Sequence, residues 1–225
     1  MKRSSQFVAI IVVAAQLFCA VAAQGQGSYK VQPAPLPSDV SASLASALLT
    51  QGSQVTDASG AVVCEVWLGK AIPTKAGGGA AADILYPSLE VGTLVGAIHF
   101  PKAGSDFRGQ NIKPGYYTLR YAMIPQDGNH MGVNPTRDFL LMSPADLDTN
   151  LGQALALNDL YNLSRKASAT NHPAVLTMSP SSGNAKPASL TQDDQSHWVL
   201  ESNGKTAGGQ DLPVAFVVVG QTTAQ

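Results

Sequence analysis

The segment Gln126-Asp127-Gly128-Asn129-His130-Met131-Gly132-Val133-Asn134-Pro135-Thr136-Arg137-Asp138 brings two carboxylates, an imidazole, a thioether and a guanidinium into one short connection. Three arrangements can be built from it. In the first, the residues only hold the chain: Asp127-Gly128 and Asn134-Pro135 set turns, Arg137 pairs with an acid, and His130 satisfies a backbone carbonyl. In the second they form a ligand site from Asp127, Asn129, His130, Arg137 and Asp138, with Arg120 reaching in from the preceding strand. A guanidinium's planar fork suits a carboxylate or a phosphate. In the third they hold a metal: His130 with Met131 suits copper(I), and Asp127 with Asn129 and Asp138 suits calcium. The spacing selects none of the three. The alternating acids and distal Glu of a calcium loop are missing, so no metal and no other cofactor is assigned.

The remaining histidines, His99, His172 and His197, are scattered and show no zinc spacing. Gly77-Gly78-Gly79 is not followed by the Lys-Ser/Thr of a phosphate-binding loop. The nucleophile-elbow motif is absent. Triad members lie far apart in a chain, which keeps an extracytoplasmic hydrolase as the rival to a binding protein, alongside a metal-binding protein. No catalytic residue is assigned.

A connection this polar must be held by something rigid, and the flanking sequence supplies strands. Tyr116–Ile124 alternates, with Tyr117, Leu119, Tyr121 and Met123 on one face and Tyr116, Thr118, Arg120 and Ala122 on the other. Asp138–Met142 follows the connection as a short buried strand. Val62–Leu68, Leu94–Phe100, Val175–Met178, His197–Ser202 and Pro213–Gly220 complete the strand set. The unbroken apolar run Val214–Val219 requires cover on both faces. Ser143-Pro144-Ala145-Asp146 reads as a helix opening, and apolar residues from Leu147 to Tyr161 continue at helical spacing. A short N-terminal helix starts at Ser38-Asp39 and stops before Gly52. The expected architecture is a mainly β fold: an antiparallel β-sandwich of about seven or eight strands with an inserted helical segment at about 144–166. The alternative is an α+β layer with both helices on one sheet face.

Residues 1–23 have the three parts of a secretory signal peptide. Lys2 and Arg3 are followed by an apolar run from Phe7 to Ala22 and by the small residues Ala20, Ala22 and Ala23. Phe18 before Cys19 does not suit lipidation. Residues 24–37, with Pro33, Pro35 and Pro37, read as a tether, and 38–225 as one domain. Loss of Lys2 and Arg3 takes the 14 basic residues to 12 against 15 acidic ones, a net charge of −3. With no basic block there is no electrostatic basis for nucleic-acid binding, and no second apolar run of spanning length follows. Cys64 is left as a lone thiol in an apolar strand, a small core residue and not a nucleophile. The implied setting is periplasmic or secreted, with a small molecule, a glycan or an envelope protein as partner.

The run Lys113-Pro114-Gly115-Tyr116-Tyr117-Thr118-Leu119-Arg120-Tyr121, together with Pro125–His130, Arg137–Leu141, Asn171–Val175 and the Pro213–Gly220 strand, resembles a group of exported bacterial proteins of unknown function. The resemblance implies a bacterial, extracytoplasmic setting and carries no activity with it.

Overall fold

The computed structural model describes residues 28–76, 83–125, 136–183 and 185–222. In chain order the elements are β1 (Lys30–Pro35), α1 (Ala42–Ala47), β2 (Gln51–Thr56), β3 (Val62–Leu68), β4 (Leu94–Phe100), β5 (Gly104–Ser105), β6 (Asn111–Ile112), β7 (Gly115–Met123), β8 (Asp138–Pro144), α2 (Leu157–Ser168), β9 (Ala174–Ser179), β10 (Ser189–Gln192), β11 (Trp198–Lys205) and β12 (Asp211–Val219). With 43% of the described residues in strand and 10% in helix, the protein is mainly β. Ten strands form one sheet in the order β1-β2-β3-β4-β7-β8-β9-β12-β11-β10, while β5 and β6 make a separate hairpin. Every pairing is antiparallel.

The expected sandwich of seven or eight strands is replaced by a single ten-stranded sheet rolled into a nearly closed barrel. Pairing runs without interruption from β3 round to β11, so no second layer ever begins. Register shifts in β2–β3, β4–β7 and β11–β12 supply the local bends that curl a twisted sheet. Closure comes where the chain leaving β3 meets the end of β11. There the Ile72 N–H donates to the Lys205 carbonyl at 2.7 Å, the Lys205 N–H to Gly69 at 2.9 Å, and the Ala207 N–H to Ile72 at 2.9 Å. The pair β1–β2 and the strand β10 then flank this seam. The β1–β2 side meets β11 through side chains: the ring of Tyr29, just before β1, stands edge-on to Trp198 at 5.4 Å, and the Ser53 and Ser202 hydroxyls are 3.5 Å apart.

Alternation fills the barrel. Cys64, Val66 and Leu68 of β3, Tyr117, Leu119 and Tyr121 of β7, Leu140 and Met142 of β8, and Val214, Phe216 and Val218 of β12 all belong to the interior cluster. The interior is thus a packed core. Cys64 is fully buried there, and burial, with the Glu65 charge adding to it, pushes its thiol pKa up to about 12. Tyr86 and Leu89, from the segment between β3 and β4, pack into this core.

Both helices sit on the outer face of the sheet, over separate apolar patches: α1 over Trp67 and Ala97, α2 over Ala122 and Leu141. Helix α1 starts later than expected, because Ser41 and not Ser38 caps it, its Oγ accepting the Leu44 N–H at 3.3 Å. Gly52 is a strand residue of β2, not a helix stop. Residues 30–35, inside the stretch read as a tether, form β1. The inserted helical segment is also shorter than 144–166. Ser143 and Pro144 finish β8, turns follow, and α2 runs only from Leu157 to Ser168. Leu160, Ser164, Ala167 and Ser168 are its buried side. Ser164 pins it to β9, its hydroxyl donating to the Ala174 carbonyl at 3.0 Å and accepting the Ala174 N–H at 2.9 Å. No helix among the described residues is long and apolar enough to cross a membrane.

Candidate functional site

The residues that flank the 126–138 connection are held by the fold itself. Arg120 lies on the outward face of β7 yet is completely buried, because the turns after β8 cover it. Its Nε and Nη2 donate to the Asp148 carboxylate at 2.7 and 2.8 Å. Its Nη1 donates to the carbonyls of Gly92 (2.7 Å) and Gln153 (2.9 Å), and Nη2 also donates to Asn150 (2.7 Å). All five guanidinium donors are therefore used. The Thr118 hydroxyl adds a third bond to Asp148 at 2.6 Å.

Asp138 is equally buried. It accepts the N–H groups of Leu85 (2.8 Å) and Tyr86 (2.9 Å) and the Tyr121 hydroxyl (2.8 Å), which fastens the Leu85–Tyr86 segment to β8. Burial raises both phenols, those of Tyr86 and Tyr121, above the ordinary tyrosine range, and the Asp138 charge raises them further. Arg137 donates from Nε to the Ile124 carbonyl at 2.9 Å, and its Nη1 lies 3.8 Å from Asp83. The structure thus places Arg120 in one internal network and Arg137 with Asp138 at the base of the connection. Asp127, Asn129 and His130 lie outside the described residues.

Beside the point where the connection leaves Ile124 and Pro125 there is a groove of about 350 Å³, within the size range of small-molecule sites. Its floor is the outward face of β8 and β9, with Phe139, Leu141, Val175 and Thr177. One wall is α2, where Tyr161 and Arg165 follow each other at a spacing of four. The loop carrying Phe107 and Arg108 also lines the groove.

That loop is built around Asp106, which is fully buried. Its Oδ1 accepts the N–H groups of Arg108 (3.0 Å) and Gln110 (2.7 Å), and its Oδ2 accepts the Gln110 side chain (2.7 Å) and the Val175 N–H (3.0 Å). Gly109, at φ 79°, supplies the left-handed turn residue this loop needs. The Phe107 N–H donates to the Val175 carbonyl at 2.8 Å, and its carbonyl accepts the Thr222 N–H at 2.8 Å. Phe107 and Arg108 are therefore presented by a loop bonded to β9, while the Arg108 side chain is exposed. Arg165 is steered by bonds to the Asn171 carbonyl (2.9 Å) and Asn162 Oδ1 (3.1 Å). His172 completes the rim, and no acid lines the groove among the described residues.

The other histidines occupy different surroundings. His197 spends both ring nitrogens, one on Asp193 at 3.0 Å and one on the Gln221 carbonyl at 3.1 Å. His99 bonds Glu65 at 2.9 Å and stacks on Tyr116 with ring centres 4.2 Å apart. Among the described residues no cluster of three or more His, Cys, Asp or Glu side chains is placed to hold a metal ion.

The chain matches no protein-family model, no curated protein and no solved structure. The groove residues Phe107, Arg108, Tyr161 and Arg165 were not legible as a set. They meet only because β8, β9 and α2 converge from distant parts of the chain. The one local sign was Asp106-Phe107-Arg108-Gly109, a turn sequence with an aromatic residue inside it.

Proposed function

We propose that the protein is an exported binding protein, periplasmic or secreted, and that the groove beside the 126–138 connection is where it takes up a small molecule. One observation carries the reading. The groove joins an apolar floor to polar side chains exposed at its rim, on strands and a helix fixed from behind. Arg120 and Asp138 supply internal bonds, and the residues just before the connection, Ile124 and Pro125, line the groove. Asp127, Asn129 and His130, which follow Pro125 in the sequence, are proposed as further polar groups of the same site. Export rests on the signal sequence of residues 1–23.

The test is a two-dimensional NMR screen of the mature protein against small neutral, anionic and cationic compounds. Binding is expected to perturb the backbone amides of 107–108, 139–141, 161–165 and 171–177 together. Hits confined to another face of the barrel, or none at millimolar concentration, overturn the reading. N-terminal sequencing of the exported protein is expected to begin at Gln24.

A further inference from the structure

Resting on that reading of the groove, we infer that its ligand is a small amphipathic anion, an apolar body with a carboxylate or similar head. The body fits the floor made by Phe139, Leu141 and Val175, beside Tyr161 of the α2 wall. The head is specified by charge. Arg108, Arg165 and His172 all line the groove, and no Asp or Glu lines it among the described residues. The acid nearest Arg108 in the chain, Asp106, is turned inward and makes four bonds to its own loop and β9, none of them to the Arg108 guanidinium. Among the described residues the Arg108 guanidinium has no hydrogen-bond or ion-pair partner. Arg165 is held through Nε and Nη1, which fixes its plane and leaves Nη2 without a partner among the described residues. Guanidinium donors beside an apolar surface, one of them held in plane, favour a planar anionic head over a neutral or cationic one.

The experiment compares three probes with one tail and different heads, octanoate, 1-octanol and octylammonium, by calorimetry and by NMR on the mature protein. Octanoate is expected to bind about tenfold more tightly than octanol, to perturb the groove amides, and to weaken as salt is raised. Arg108→Gln, a change at an exposed side chain, is expected to remove most of that preference by weakening octanoate far more than octanol. Octanol or octylammonium binding the same amides as tightly as octanoate refutes the anionic head but leaves the groove as a binding site. Silence of the groove amides to all three probes removes both. The comparison of heads on the unaltered protein decides the question even if the variant folds poorly.

Discussion

At the residue scale the decisive side chain is Arg120. As a guanidinium on a strand face beside a polar connection, it has the chemistry of an anion-binding residue. Its burial assigns it to Asp148 and three carbonyls, which tie the turns after β8 to the barrel wall. Arg120→Met leaves Asp148 charged and unpaired in a buried place and is expected to cost about 3–5 kcal/mol in urea denaturation. A loss under about 1 kcal/mol, the size of an exposed pair, would show that water reaches the site. Glu201 gives a second test, through pH. Burial acts to raise its carboxyl pKa, but hydrogen bonds from Ser181 and from the Ser182 hydroxyl and N–H outweigh it and hold the group below its ordinary value of 4.5. A depressed folded-state pKa adds stability that is complete above the unfolded value and is lost as pH falls through the folded one. The stability gap between the native protein and Glu201→Gln is therefore expected to be widest at neutral pH and to shrink as pH falls below 4.5. A gap that is constant from pH 7 to pH 3 contradicts that assignment.

At the element scale, the strands that the sequence reveals are those with two neighbours and apolar side chains. Val62–Leu68, Tyr116–Ile124 and Pro213–Gly220 correspond to β3, β7 and β12, all within the continuous part of the sheet. The strands it hides are β1, β2 and β10, with sequences Lys-Val-Gln-Pro-Ala-Pro, Gln-Gly-Ser-Gln-Val-Thr and Ser-Leu-Thr-Gln. They lie at or next to the sheet edges, where little apolar surface is buried and backbone pairing decides the conformation. Pro33 and Pro35, which resemble a tether, are tolerated because β1 is an edge. The helix-opening pattern at Ser143-Pro144 lost to strand pairing with β7. The sandwich expectation failed because alternation specifies which side chains point inward, not whether one sheet or two surrounds them. The site was less legible than the fold, since its walls come from elements far apart in the chain.

Gly52 separates the two local readings. As a helix stop it needs only conformational freedom. As a residue of β2 its place is set by space, because a Cβ there falls 2.2 Å from the Val66 carbonyl and 2.4 Å from the Trp67 ring. Gly52→Ala is therefore expected to cost about 1–3 kcal/mol by overpacking and to shift tryptophan emission as the buried Trp67 indole moves. Unchanged emission supports the helix-stop reading instead.

At the scale of the whole molecule, what matters is which strands close the barrel. Backbone bonds run from β3 through β4, β7, β8, β9 and β12 to β11, and the Gly69–Ile72 segment joins the end of β11 to complete the circuit. These are the seven strands legible in the sequence. Strands β1 and β10 remain as edges, each hydrogen-bonded to a single neighbour within the sheet. Ile72 is the key to the seam. It is buried, and Gly69 and Gly204 make room for it, since a Cβ on either would lie 2.7 or 2.8 Å from its side chain. Opening the seam should therefore loosen the circuit at one place before the core unfolds. In hydrogen-exchange mass spectrometry, peptides from β1 and β10 are expected to exchange fastest among the strands, and those from β7, β8 and β12 slowest. Ile72→Ala removes buried apolar volume and is expected to cost about 2–5 kcal/mol, with protection lost first in peptides spanning 69–72 and 204–207. If β1 and β10 instead prove as protected as β8, and Ile72→Ala leaves 204–207 unchanged, then closure runs between the outer strands and the β3–β11 seam is incidental.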